Sequence, residues 1–112
     1  MYQKISQELN KLKDPYQSKN LQRFFKTGKG EYGEGDIFLG LRMAQTRGVM
    51  KRYFKEASLE GVQKLLNSKI HEYRMTGVLI LVEKFKKADE KFKKDIFNFY
   101  LKNTKNINNW DL

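Results

Sequence analysis

Apolar residues recur along this chain at intervals of three and four, the spacing that places side chains on one face of an α-helix. Tyr2, Ile5, Leu9 and Leu12 form a first stripe that ends near Asp14. Asp14-Pro15 then reads as an N-cap followed by proline at the first helical position, where the missing N–H costs nothing. Leu21, Phe24 and Phe25 supply the buried side of this second helix, which is expected to end at Gly28. A third helix is predicted from Met43 to Phe54. A fourth follows Ser58 as N-cap, with Leu59, Val62, Leu65 and Leu66 on one face and Glu60 near the positive end of the helix dipole. The fifth runs from about Ile70 to Phe85. Its Val78–Val82 stretch is apolar all round, which predicts cover on more than one side. The sixth starts at Asp89, is expected to bury Phe92, Ile96, Phe99 and Tyr100, and frays through NTKN.

About six helices and no alternating segment predict an all-α fold. The connections between the last three helices are two to four residues long, which forces neighbouring, antiparallel helices. Stacked pairs of this kind suit a helical solenoid as well as a bundle. The helix starts at Ser58 and Asp89 lie about 31 residues apart, shorter than the ~40–47 of HEAT or armadillo units, and the pairs share no clear self-similarity.

The one long stretch without helical period is GKGEYGEGDIFLG, residues 28–40. Gly28 to Gly33 formally match G-x-G-x-x-G, but a dinucleotide loop needs a strand before it and a helix directly after it. Here a helix precedes, and Glu31, Glu34 and Asp36 would face the phosphate. A glycine-permissive connection pinned to the core by Phe38 and Leu39 is the better reading.

Charge changes the picture more than length does. The 112 residues make one domain with a net charge of +10, and the excess is spread: residues 1–56 hold 12 basic and 6 acidic side chains, residues 57–112 hold 11 and 7. A whole domain this basic attracts polyanions, nucleic acid first and anionic membrane second. With no cysteine and only His71, there is no disulfide framework, no cysteine nucleophile and no metal site, and no cofactor is expected. The longest apolar run is VLILV, so neither a secretory signal nor a membrane span is expected, and a cytoplasmic protein is.

Two groups of cations stand out. Lys84, Lys86, Lys87, Lys91, Lys93 and Lys94 crowd the corner between the fifth and sixth helices, where a solvated face is the default reading. Arg42, Arg47, Lys51 and Arg52 lie at helical spacing along the third helix beside the glycine-rich approach; arginine forks suit phosphates, and a solvated helix face is the equal alternative. His71 reads as an ordinary residue of a helix's first turn. Glu72 and Arg74, flanking Tyr73, suggest a structural ion pair. No two carboxylates are pinned together for acid/base work.

Three stretches taken together, RFFKTGKGEYGEGDIFLGLR, LLNSKIHEYRMTGVLILVEKFKKAD and IFNFYLKNTKNINNWDL, resemble the N-terminal half of the HEAT-like-repeat DNA alkylation repair proteins, the AlkD-type alkylpurine DNA glycosylases. The resemblance runs from about residue 9 to 112. It implies an α-α superhelix whose concave, basic face holds duplex DNA containing alkylated purines. It also implies hydrolysis of the N-glycosidic bond of cationic N3- or N7-alkylated purines without drawing the base into a pocket, unlike the usual base-flipping route. Aromatic side chains would contact the cationic base, and a carboxylate would stabilise the positive sugar that develops as the bond breaks.

Carried over by position, Trp110 matches the first aromatic of the family's W-D-x-x-D element, a lesion contact, and Asp111 the residue directly after it. The second Asp of that element, the catalytic carboxylate, falls two positions after Leu112. The resemblance further places Phe24 where family members carry a tyrosine near the lesion, so the hydroxyl contact is lost. Ala44 replaces the proline that usually opens the third helix. Arg42 and Arg47, with Lys51 and Arg52 beside them, fall in the segment expected near the DNA backbone. On this reading the chain is an N-terminal, truncated solenoid, inactive by itself, whose apolar end favours self-association. The alternative is a non-enzymatic helical module that binds DNA or a protein partner through the same basic face.

Overall fold

The computed structural model describes residues 2–24 and 37–104, and six α-helices lie within them: α1 Tyr2–Lys11, α2 Pro15–Phe24, α3 Met43–Tyr53, α4 Leu59–Leu66, α5 His71–Lys87 and α6 Glu90–Lys102. Among the described residues there is no strand, only an isolated parallel bridge between Ile37 and Ile70. The expected end of α2 at Gly28 lies outside the described residues.

Helices α2, α4 and α6 begin where short polar side chains occupy their unpaired amides. Asp14 Oδ1 accepts from Tyr16 N at 3.1 Å and Gln17 N at 3.2 Å. Ser58 Oγ accepts from Gly61 N at 3.1 Å, and Asp89 Oδ1 from Phe92 N at 2.8 Å. Helix α3 begins at Met43, with Ala44 as its second residue; its N-cap residue is Arg42, whose N–H donates to Gln45 Oε1 at 2.8 Å.

Helix α5 is the centre of the domain, packed against α4, α3, α6 and α1. Its first two turns, His71 to Gly77, are buried throughout. Gly77 makes the closest approach: a Cβ there would lie 3.2 Å from Leu66 Cδ2 and 3.3 Å from Leu65 Cβ, so α4 sits almost on the α5 backbone. Ile5 and Leu9 from α1, Val49 and Met50 from α3, Val62, Leu65 and Leu66 from α4, and Ile80 from α5 are sealed in one core. Tyr73 ties α5 to α1, donating its hydroxyl to Asn10 Oδ1 at 2.9 Å and meeting Tyr2 edge-on.

The Val78–Val82 stretch is covered on more than one side, as expected, with Ile80 and Leu81 buried, though Val82 at its end stays 46 % exposed. One burial expectation is corrected. On α6 only Ile96 is buried and Phe99 packs partly on the core; Phe92 is 37 % and Tyr100 42 % exposed. The reason is topological. Helix α6 has one substantial neighbour among the described helices, α5, so only the stripe facing α5 leaves water.

The end of α6 is held from a distance. Gln63 Nε2 donates to Asn103 Oδ1 at 2.7 Å, and Asn103 Nδ2 donates back to Gln63 Oε1 at 3.0 Å, a reciprocal amide pair linking α4 to the last turn of α6.

Candidate nucleic-acid interface

The site residues on α3 are positioned by the segment that leads into it. Leu39 O accepts from Asp14 N at 2.8 Å, and Ser18 donates its hydroxyl to Phe38 O, which fastens the segment to the α1–α2 corner. Ile37 N donates to Lys69 O at 3.0 Å, and His71 N donates to Ile37 O at 2.8 Å, which fastens it to the start of α5. His71 also stacks on Phe38, with ring centroids 4.7 Å apart, so it is the first-turn structural residue expected.

Glu72 completes the anchorage. Its side chain is buried, and its carboxylate accepts three successive backbone N–H groups: Leu39 at 2.9 Å on Oε1, Gly40 at 3.0 Å and Leu41 at 3.2 Å on Oε2. The expected partnership with Arg74 is thereby corrected. Residues two apart on a helix do not face one another, and Arg74 donates instead to Ser68 O at 3.1 Å. Gly40 takes φ +90°, and a Cβ there would lie 2.1 Å from Asp14 O, so only glycine allows the segment to press against the α1–α2 corner.

Fixed in this way, α3 turns Thr46, Val49 and Met50 inward and Arg47 and Lys51, four positions apart, outward. Arg42 is exposed at the N-terminal end. Among the described residues none of Arg42, Arg47 and Lys51 is engaged in an ion pair. Arg52 is different: its guanidinium lies 3.4 Å from Glu8 on α1, an exposed pair of small energetic weight. Gly48 leaves the outer face of the helix open, since nothing lies within 4 Å of where its Cβ would be.

A cleft of about 480 Å³ lies between the α1–α2 corner and the start of α3, lined among others by Lys13, Asp14, Gly40, Arg42 and Ala44. Lys13, which the sequence did not single out, shares this cleft with Arg42. Nothing local marks it, because its nearness to Arg42 follows from the contact of Asp14 with Leu39. Of the lysines at the α5–α6 corner Lys86, Lys87, Lys91 and Lys94 are exposed and Lys84 and Lys93 half-buried; Lys86 lies 3.6 Å from Glu83, Lys87 covers the Phe54 ring at 4.8 Å, and Lys93 covers Phe85 at 5.5 Å. Trp110, Asp111 and the side chain of Phe24 lie outside the described residues.

The arrangement is an all-α, helical-repeat type of fold with exposed cations along one helix and beside a cleft, chemistry suited to contacting a polyanion without reading its sequence. Residues 5–112 match the DNA alkylation repair enzymes, and the chain belongs to that family. Its role is therefore in DNA alkylation repair, and DNA is the substrate that family membership indicates. No curated protein and no solved structure matches the chain. Among the described residues no helix is long and apolar enough to cross a membrane.

Proposed function

We propose that this protein serves the excision of cationic N3- or N7-alkylated purines from duplex DNA, with residues 1–112 holding the duplex. The observation that carries the reading is the outward pair Arg47 and Lys51, with Arg42 at the head of the same helix, in a chain of the DNA alkylation repair family. These cations contact phosphates, and Lys13 extends the contact from across the cleft.

The chemistry suits the lesion. Water oxygen bonds to C1′ as the C1′–N bond breaks. The electron pair stays on the alkylated purine, which leaves neutral, and the water gives up a proton. Trp110 stacks on the cationic base, Phe24 lies beside the lesion, and Asp111 follows at the DNA surface. Stabilising the sugar cation requires the second carboxylate of the W-D-x-x-D element, which the resemblance places after residue 112. In this scheme residues 1–112 supply the surface that holds the duplex and the aromatic contact to the lesion.

The test is anisotropy of a labelled methylated duplex titrated with the 112-residue chain over a range of salt, alongside an assay for free base. The expected result is binding that weakens as salt rises, with no base released. Affinity insensitive to salt would overturn the phosphate-contacting face, and released alkylpurine would overturn the assignment of chemistry to a later carboxylate.

A further inference from the structure

Tyr16 is the most exposed large apolar side chain among the described residues, at 77 %, and the repair reading gives it no role. A single exposed aromatic is ordinary. This one differs in how firmly it is placed and in what surrounds it. Tyr16 N donates to Asp14 Oδ1 at 3.1 Å, and Asp14 N donates to Leu39 O at 2.8 Å. Leu39 belongs to the segment that the Glu72 carboxylate anchors and that leads into α3, so the first turn of α2 and Arg42 at the head of α3 are held in one register. The cleft between them is lined by Lys13, Asp14, Pro15 and Arg42, among others, and Tyr16 is the next residue of the chain after Pro15.

Charge selects the partner. Lys13 and Lys19, three residues either side of Tyr16, are exposed, as is Arg42. Asp14 is the acid of the cleft lining, and its carboxylate already accepts the Tyr16 and Gln17 N–H groups. One turn on from Tyr16 stand Lys19 and Asn20, both polar and exposed, so α2 offers the ring no apolar neighbour there. A rigid ring set among cations suits a polyanion that also presents apolar surface, as the deoxyriboses of DNA do between its phosphates. A protein partner is a poorer fit, because one ring amid lysines lacks the contiguous apolar centre of such an interface. We infer that the Tyr16 ring packs against the sugar–phosphate backbone of the duplex, on the strand whose phosphates Lys13 and Arg42 hold. This contact rests on the proposed duplex-holding role and differs in kind from the α3 cations, since it depends on apolar surface rather than on charge. Phe24, expected beside the lesion, lies eight residues further along α2, about 12 Å along the helix axis, so Tyr16 meets DNA away from the damaged base and without regard to damage.

The experiment follows the anisotropy of labelled methylated and undamaged duplexes titrated with the full 112-residue chain over a range of salt. Tyr16→Ala should weaken both duplexes alike, by about five- to tenfold, with the slope of log affinity against log salt unchanged because no phosphate contact is lost. Tyr16→Phe keeps the ring and should stay within about twofold of wild type. Tyr100→Ala, at an exposed tyrosine of α6, should bind as wild type does. Tyr16→Ala should also melt as the wild type does, since the position is exposed, which makes the lost affinity a lost contact. Wild-type affinity in Tyr16→Ala would overturn the inference, and a reduced salt slope would overturn it by returning the effect to the cations. A loss confined to the methylated duplex would overturn it by moving Tyr16 to the lesion. A wild-type chain whose affinity ignores salt would overturn the duplex-holding role and this contact with it, an outcome visible before any Tyr16 variant is measured.

Discussion

The Glu72 carboxylate accepts the Gly40 N–H at 3.0 Å, so a buried acid on α5 holds the one glycine whose backbone conformation the α1–α2 corner demands. The same carboxylate takes the Leu39 and Leu41 N–H groups, and α3 leaves from this anchored point. The orientation of Arg42, Arg47 and Lys51 thus depends on a side chain that touches none of them.

Glu72→Gln keeps the shape but removes the charge and one of the two acceptor oxygens. At least one N–H then loses its partner in a buried setting, and the expected cost is about 2–3 kcal/mol. Urea unfolding followed by circular dichroism measures it. A loss below about 0.5 kcal/mol would show that the segment is held by its other contacts.

Two glycines should respond to alanine in opposite directions. Gly40→Ala adds a Cβ 2.1 Å from Asp14 O at φ +90°, so the backbone must move and a loss of about 2 kcal/mol or more is expected. Gly48→Ala adds a Cβ with nothing within 4 Å inside α3, and a gain of about 0.5–1 kcal/mol is expected. The two thermal midpoints should shift in opposite senses.

Asn103→Ala breaks the reciprocal amide pair and leaves the Gln63 side chain only its bond to Asn67. A destabilisation of about 1–3 kcal/mol is expected, whereas Asn98→Ala, exposed on the same helix, should be near neutral. Hydrogen exchange of the last turn of α6 gives a second readout, with protection lost there before it is lost in α5.

The cations of α3 should not be equivalent in DNA affinity. Arg47→Ala and Lys51→Ala should each reduce the slope of log affinity against log salt by about 1 and weaken binding alike across sequences. Arg52→Ala should do less, because its guanidinium is engaged with Glu8 at 3.4 Å. Equal losses at all three positions would show that Arg52 leaves Glu8 on binding.

Burial lowers the pKa of Lys84 from the ordinary lysine value of 10.5. Between that lowered value and 10.5 the unfolded chain binds more protons than the folded one, so this group makes stability rise with pH there. Below the window the charged lysine costs the folded state. Lys84→Met should therefore stabilise the protein at neutral pH, and the difference should shrink as pH approaches 10.5.

The sequence by itself determined the helices, because their signals are local. The 3.6-residue period, the caps at Asp14, Ser58 and Asp89 and the proline at position 15 all act within one turn of the residues that carry them. The resemblance to the alkylation repair family was legible for the same reason, being carried by contiguous blocks that residues 5–112 span. What remained hidden needed partners far apart in the chain. Glu72 reaches back 31 to 33 residues to the 39–41 backbone, and Gln63 reaches forward 40 to Asn103. Lys13 joins the candidate site only because the α1–α2 corner folds against Leu39. The periodic stripe of α6 announced a buried face, but periodicity gives the direction of a stripe and not the number of neighbours that will cover it. Among the described helices tertiary packing supplied one substantial neighbour, α5, and Phe97, Tyr100 and Leu101 lie exposed.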